Sequence, residues 1–124
     1  GVVIQGEASF NQLIPESFHI NVSSHRAILH WEDFSIANGE TVIFNLPDSS
    51  SAVLNRIVGG HKSLIDGKLS SNGKIYLVNP AGLFLGDKAI ISTASFIAST
   101  ITVLAEVSGK MTIPSKPAAA ISAT

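Results

Sequence analysis

Cysteine is absent from the chain, so neither a disulfide scaffold nor a thiolate zinc site can be built from it. Proteins of any compartment can lack cysteine, and the absence by itself fixes no location. Charge is scarce as well: Asp, Glu, Lys and Arg make up 14% of the residues, well below the usual quarter. Intrinsic disorder needs the opposite balance, so the chain is expected to fold. Its net charge is −1, and its eight Lys and Arg are scattered singly. With no basic stripe to neutralise phosphates, nucleic acid is not an expected partner. No run of 18 apolar residues occurs, so no transmembrane helix is expected. The opening Gly1-Val2-Val3-Ile4-Gln5-Gly6 has neither a basic segment nor an apolar core, so no signal peptide is visible; a mature or trimmed chain would begin the same way.

Helical periodicity is also missing. Leu54 to Ile57 is too short to make an amphipathic helix. What is present is β-forming: Val, Ile and Thr supply 30 of the 124 residues, and branched side chains suit a pleated surface. A chain of this length makes one domain and buries roughly 65% of its unfolded surface. Apolar residues alternate at Ile20/Val22, Ala27/Leu29/Trp31, Val42/Phe44/Leu46 and Ile75/Leu77, as strands with one buried face require. Tyr76-Leu77-Val78 and Leu83-Phe84-Leu85 are apolar on both faces, which suits strands covered on both sides.

Turn signals punctuate these runs at Asn38-Gly39, Pro47-Asp48, Gly59-Gly60, Asp66-Gly67, Asn72-Gly73, Pro80-Ala81-Gly82 and Gly86-Asp87. Gly and Asn reach positive φ at least cost, so these are expected corners. Gly39, Gly60 and Gly82 follow one another at 21 and 22 residues, the length of one solenoid coil of three short strands. A second self-similarity agrees. Ser35-Ile36-Ala37-Asn38-Gly39 leads into Val42-Ile43-Phe44-Asn45-Leu46-Pro47, and Leu69-Ser70-Ser71-Asn72-Gly73 leads into Ile75-Tyr76-Leu77-Val78-Asn79-Pro80. Each proline ends its strand, because it has no N–H to donate and holds the preceding residue extended. On pattern alone a β-helix and a sandwich of hairpins remain equally open.

Chemical motifs are weak throughout. His19, His25, His30 and His61 show no metal-ligand spacing. Seventeen serines allow many nominal Ser-His-Asp sets, but no Gly-x-Ser-x-Gly elbow exists. Ile57-Val58-Gly59-Gly60 matches the processed N-terminus of trypsin-like proteases, yet the chain is too short and lacks their serine motif. Gly60-His61-Lys62-Ser63 partly matches the end of a phosphate loop, with its glycine one position early and no strand-loop-helix context. Asn21-Val22-Ser23 is a formal glycosylation triplet of a kind common by chance. Glu32-Asp33 offers the acid pair of a polysaccharide-cleaving β-helix, but adjacent strand residues point to opposite faces. Trp31 and Phe34 read as core or coil-end packing rather than a sugar platform. No catalytic, cofactor or metal site is expected, and the chain reads as a non-enzyme.

One resemblance covers about 85 residues, from His19 to Val103. Its centre is Ala52-Val53-Leu54-Asn55-Arg56-Ile57-Val58-Gly59-Gly60, followed by Ile65-Asp66-Gly67-Lys68-Leu69-Ser70-Ser71-Asn72-Gly73 and by Lys74-Ile75-Tyr76-Leu77-Val78-Asn79-Pro80-Ala81-Gly82-Leu83-Phe84-Leu85-Gly86. Upstream stand Arg26-Ala27, Trp31-Glu32-Asp33-Phe34-Ser35-Ile36 and Gly39-Glu40-Thr41-Val42; downstream stands Phe96-Ile97-Ala98-Ser99-Thr100. In this order the motifs resemble the N-terminal two-partner secretion (haemagglutination activity) domain of filamentous-haemagglutinin-type exoproteins.

The resemblance implies an all-β fold, a right-handed parallel β-helix or single-stranded solenoid, here truncated. It implies a domain over 1–113 with a core at 19–103, leaving 114–124 as a low-complexity tail or linker. It further implies a secretion-recognition and fold-nucleating module of a Gram-negative bacterium. A partner outer-membrane β-barrel transporter recognises such a module through its periplasmic domains, and the product is secreted or held at the cell surface. Contact with a host cell surface would come through a downstream passenger. The absence of cysteine fits passage of an unfolded chain through a pore. Partner recognition or structural motif roles fall on Asn55, Arg56, Asn72, Gly73, Asn79, Pro80 and Gly82; in the structural version Asn55 bonds the corner backbone and Arg56 is solvated. The family's usual turn is Asn-Pro-Asn-Gly, whereas Ala81 holds the third position here; Pro80 and Gly82 should still set the backbone. The chain reads as a fragment or reduced family member whose ends expose unpaired strand edges. The competing reading is a surface adhesin or carbohydrate-binding β-helix.

Overall fold

A computed structural model of the chain describes residues 1–100 and 121–123. Residues 101–113 of the expected domain, and all of the expected tail except Ile121–Ala123, lie outside this description. Thirteen strands and no helix are found among the described residues: β1 (Val2–Gln5), β2 (Ala8–Ile14), β3 (Ser17–Val22), β4 (Arg26–Trp31), β5 (Thr41–Asn45), β6 (Ala52–Ile57), β7 (Ser63–Ile65), β8 (Lys68–Ser71), β9 (Lys74–Val78), β10 (Leu83–Leu85), β11 (Ile90–Ser92), β12 (Ser95–Ser99) and β13 (Ile121–Ala123).

The strands form three sheets, in the orders β1-β4-β6-β9-β12, β2-β3-β5-β8-β11 and β7-β10-β13. From β6 onward the chain visits the sheets in strict rotation: β6 in the first, β7 in the third, β8 in the second, then β9, β10, β11 and β12 in the same cycle. Each of these strands pairs in parallel with its counterpart one turn away. The result is a solenoid of stacked three-sided coils, a β-helix. The first coil is less complete, since its third side is a single parallel bridge from Ile36 to Ile65.

The alternating apolar residues face the interior, as their period requires. Ala27, Val53, Ile75 and Phe96 stack in register along the first sheet, and Phe18, Val42, Leu69 and Ile91 along the second. Ile20, Ile65, Leu69, Ile75 and Leu77 are wholly buried. An aromatic cluster of Phe10, Phe18, Trp31 and Phe34, with ring centroids 5.2–6.2 Å apart, fills the N-terminal end of the stack. The first sheet is also apolar on its outer face, where Ile28, Leu54 and Val78 form a second buried cluster with Tyr76 against it.

Two features depart from a uniform parallel stack. The coil length holds at 22 and 21 residues from Ala52 to Lys74 to Ser95, but Arg26 to Ala52 takes 26. The extra residues lie in the 46–51 loop, which Ser51 N closes onto the Asp48 carbonyl. The N-terminal edge is also covered. β1 lies antiparallel to β4 and β2 antiparallel to β3, so the first coil does not leave the open edge expected there. Both covering strands slip register, between Val3 and Gln5 and between Asn11 and Ile14.

The glycine corners divide into two kinds. Gly39, Gly60 and Gly82 have positive φ, as expected. Gly59 and Gly73 do not; they are required because the backbone of another coil passes against them. A Cβ on Gly59 would strike the Glu32 carbonyl, and one on Gly73 would lie 2.8 Å from the Ser51 carbonyl oxygen. Among the described residues nothing lies within 4 Å of a Cβ on Gly60. Gly60→Ala should therefore cost only its backbone strain, about 1–2 kcal/mol, whereas Gly59→Ala should cost more despite its ordinary φ. Urea denaturation of the two variants checks this, and equal losses would contradict the packing account.

Candidate functional site

Asn55 occupies an inward position of β6, in the column between Leu29 of β4 and Leu77 of β9. It is fully buried among aliphatic neighbours, where an unbonded amide would be costly. Its Oδ1 accepts from Trp31 Nε1 at 2.9 Å and its Nδ2 donates to the Tyr76 carbonyl at 3.2 Å. The bond expected to a corner backbone is thus made in mid-strand instead. The alternation carried the missed signal, since Val53 and Ile57 point inward and Asn55 lies between them.

Arg56 points outward from the same strand but is half-buried, not solvated, because its face of the sheet holds the second apolar cluster. Its Nη1 donates to His30 Nε2 at 3.1 Å, which requires a neutral imidazole with the proton on Nδ1. Among the described residues, Arg56 Nε and Nη2 find no hydrogen-bond partner although both are buried. Burial, and then the guanidinium beside it, hold His30 below the usual imidazole value.

Asn72 sits at the corner between β8 and β9. Its Nδ2 donates to the Leu46 carbonyl and its Oδ1 accepts from Leu46 N, both at 2.8 Å, so the amide replaces a strand partner across to the preceding coil. Gly73 follows in a buried position, with its N–H donated to Ser71 Oγ. At the other end of β9, Asn79 is fully buried and binds in three directions. Its Nδ2 donates to the His61 carbonyl at 2.8 Å and to Ser63 Oγ at 2.9 Å in the preceding coil. Its backbone N–H donates to the Ser99 carbonyl in the following coil. Its Oδ1 accepts from Ala81 N at 2.9 Å, and its carbonyl accepts from Gly82 N at 3.0 Å, which closes the turn over exposed Pro80. The turn therefore survives with alanine at its third position.

These residues do not converge on one point. Asn72 and Gly73 lie at one end of β9 and Asn79, Pro80 and Gly82 at the other, roughly 20 Å apart along the strand. Arg56, Val78, Asn79, Pro80 and Ala81 do share a cavity of ≈ 310 Å³ with a mostly apolar lining.

Catalytic alternatives gain no geometry. Ser51 Oγ donates to Asp48 Oδ1 at 3.1 Å and lies 3.3 Å from His25 Nδ1, but the serine, not the histidine, sits in the middle and is fully buried. Side-chain hydrogen bonds from Ser50 and Ser51 hold the Asp48 carboxyl below its usual range. Glu32 and Asp33 lie beyond the end of β4 rather than within a strand; both are exposed, and Asp33 pairs with His61 at 3.1 Å. Trp31 and Phe34 are core residues, 8% and 6% exposed. Among the described residues no three His, Asp or Glu gather as a metal site.

Asn79→Ala should cost about 3 kcal/mol, since it strands the Ala81 N–H and the His61 carbonyl, and urea denaturation measures it. His30 gives a pH dependence. Its folded-state pKa is depressed, so the unfolded chain binds more protons, and its stabilising share is present above about 6.5 and lost as pH falls through the lower folded value. The stability lost between pH 7.5 and 5 should therefore shrink in His30→Gln, as urea midpoints at the two pH values would reveal.

A family model described as the TPS secretion domain matches residues 6–115. Two heme/hemopexin-binding proteins of Haemophilus influenzae are similar. One, from strain Rd, is 37% identical over 98 residues, which cover 79% of this chain and 11% of that protein. The other is 34% identical over 95 residues, 77% and 10% of the respective chains. The chain thus spans about a tenth of the curated relatives it matches. The crystal structure of the HMW1 secretion domain from Haemophilus influenzae superposes with a TM-score of 0.79 at 36% identity, over 84% of this chain and 27% of that one. Stacked parallel coils, closed corners and matched sequence agree: the chain belongs to the TPS secretion domain family, the non-catalytic secretion modules of two-partner-secreted exoproteins.

Proposed function

We propose that this domain is both the address and the folding seed of a longer exported protein. A partner outer-membrane β-barrel transporter binds it in the periplasm while it is extended, and it coils into the β-helix only after it emerges. The observation that carries the reading is the way the coils depend on one another. From β6 to β12, each strand pairs with a strand of the coil before it, except β7, which meets the first coil through the single Ile36–Ile65 bridge and pairs with β10 of the next coil. An extended chain of this kind presents donors and acceptors that suit addition to the edge of a recognition domain. Once folded outside, the same groups are satisfied internally, and sliding back would require breaking them. The last coil then offers its edge to whatever sequence follows.

Asn55, Arg56, Asn72, Gly73, Asn79, Pro80 and Gly82 serve twice in this scheme. Asn55 and Asn79 are wholly buried in the folded domain, so a transporter meets their amides only in the extended chain. The motif is read before folding and becomes a set of joints after it.

A passenger fused after the domain and co-expressed with a partner barrel tests the proposal. Export should fall further for Asn79→Ala than for a core variant of matched stability loss such as Ile75→Ala. Equal export of the two would leave the motif with a structural role alone. Retention of the unmutated fusion in the periplasm would remove the address function itself.

A further inference from the structure

At the capped end of the stack, between the β2–β3 turn and the 32–40 loop, lies a cavity of ≈ 240 Å³ that the secretion reading does not use. Phe18, Trp31 and Phe34 form its apolar floor, and Glu16, Asp33 and Glu40 stand on its rim. The chain has nine acidic residues in all, so a third of them line this opening, and among the described residues no Lys, Arg or His does. The three carboxylates are exposed. Glu40 Oε1 accepts from Ala37 N, and Asp33 faces His61. Among the described residues Glu16 has no ionic partner.

The chemistry narrows the occupant. A sugar needs an open ring face and free polar partners, but the Trp31 ring is 8% exposed and its N–H is committed to Asn55. A metal ion is disfavoured because these carboxylates do not gather as a ligand set. An anion meets three like charges. The volume falls below that of drug-sized pockets and suits one side chain. An alkyl stem, slimmer than a sugar ring, lying against half-buried Phe18 with its cationic head toward the carboxylates satisfies both halves of the lining.

We propose that this cavity receives a basic side chain, an arginine or lysine, presented by a partner polypeptide. The site exists only in the folded domain, because its walls come from β2, β3, β4, β5, the β2–β3 turn and the β4–β5 loop. It is therefore a contact of the exported, coiled protein and is independent of recognition in the extended state.

Trp31 is the single tryptophan of the chain and lies at the cavity floor, so its fluorescence reports occupancy directly. Titrating the whole chain with Nα-acetyl-arginine amide should give a saturable change with a Kd of about 1 mM, the scale expected of one small group. The neutral isostere Nα-acetyl-citrulline amide should give none. Glu16→Gln and Glu40→Gln should each weaken the arginine probe about two- to fivefold, and Asp87→Asn, away from the cavity, should leave it unchanged. Glu16 and Glu40 are exposed, and circular dichroism verifies that their variants stay folded. No saturable change up to about 50 mM, fifty times the expected Kd, would overturn the proposal. An equal response to citrulline, or an unchanged Kd in both folded variants, would do the same.

Discussion

Everything in this domain depends on one constraint: a coil has no complete backbone pairing except against its neighbours. β7, β8 and β11 are three or four residues long, far too short to persist alone, and they are ordered by the strands directly above or below them. The corners must therefore keep a constant rise while the chain turns sharply, and that requirement explains the residues found there. Where the backbone runs out of strand partners, Asn72 supplies two side-chain bonds to Leu46, and Asn79 joins the coils before and after it. Where two coils pass too closely for any side chain, glycine is left.

The same constraint is tolerant along the chain. The coil containing the 46–51 loop is 26 residues long where later ones take 21 or 22, yet its strands stay in register. Loop-closure entropy grows only logarithmically, so the difference costs ~0.2 kcal/mol, far less than one buried Leu contributes. Polarity inside the stack is tolerated on stricter terms. Asn55 stands in an aliphatic column only because Trp31 and the Tyr76 carbonyl satisfy both ends of its amide.

Much of this was legible in the sequence. The alternating runs from Ile20 to Leu77 placed the inward faces, and Gly39, Gly60 and Gly82 marked corners that do have positive φ. Tyr76-Leu77-Val78 announced a strand covered on both sides, as the second apolar cluster shows. The antiparallel cap was not legible, because β1 and β2 carry no pattern that distinguishes antiparallel from parallel partners. Nor were the half-buried state of Arg56 and the mid-strand bonds of Asn55, since both depend on neighbours 21 to 26 residues away that local pattern does not register. Gly59 and Gly73 were recognised as corners for the wrong physical reason: they answer to crowding, not to φ.

The irregular pairing of the two covering strands has a consequence for contact between copies. A flat outermost strand offers an even row of hydrogen-bonding groups on which a second molecule can assemble. Here both such strands shift register, and the shifts break that row and increase local twist. Copies meeting at this end, with Val2, Ile4 and Ile14 half open to water, would then lack a regular template for sticking to one another.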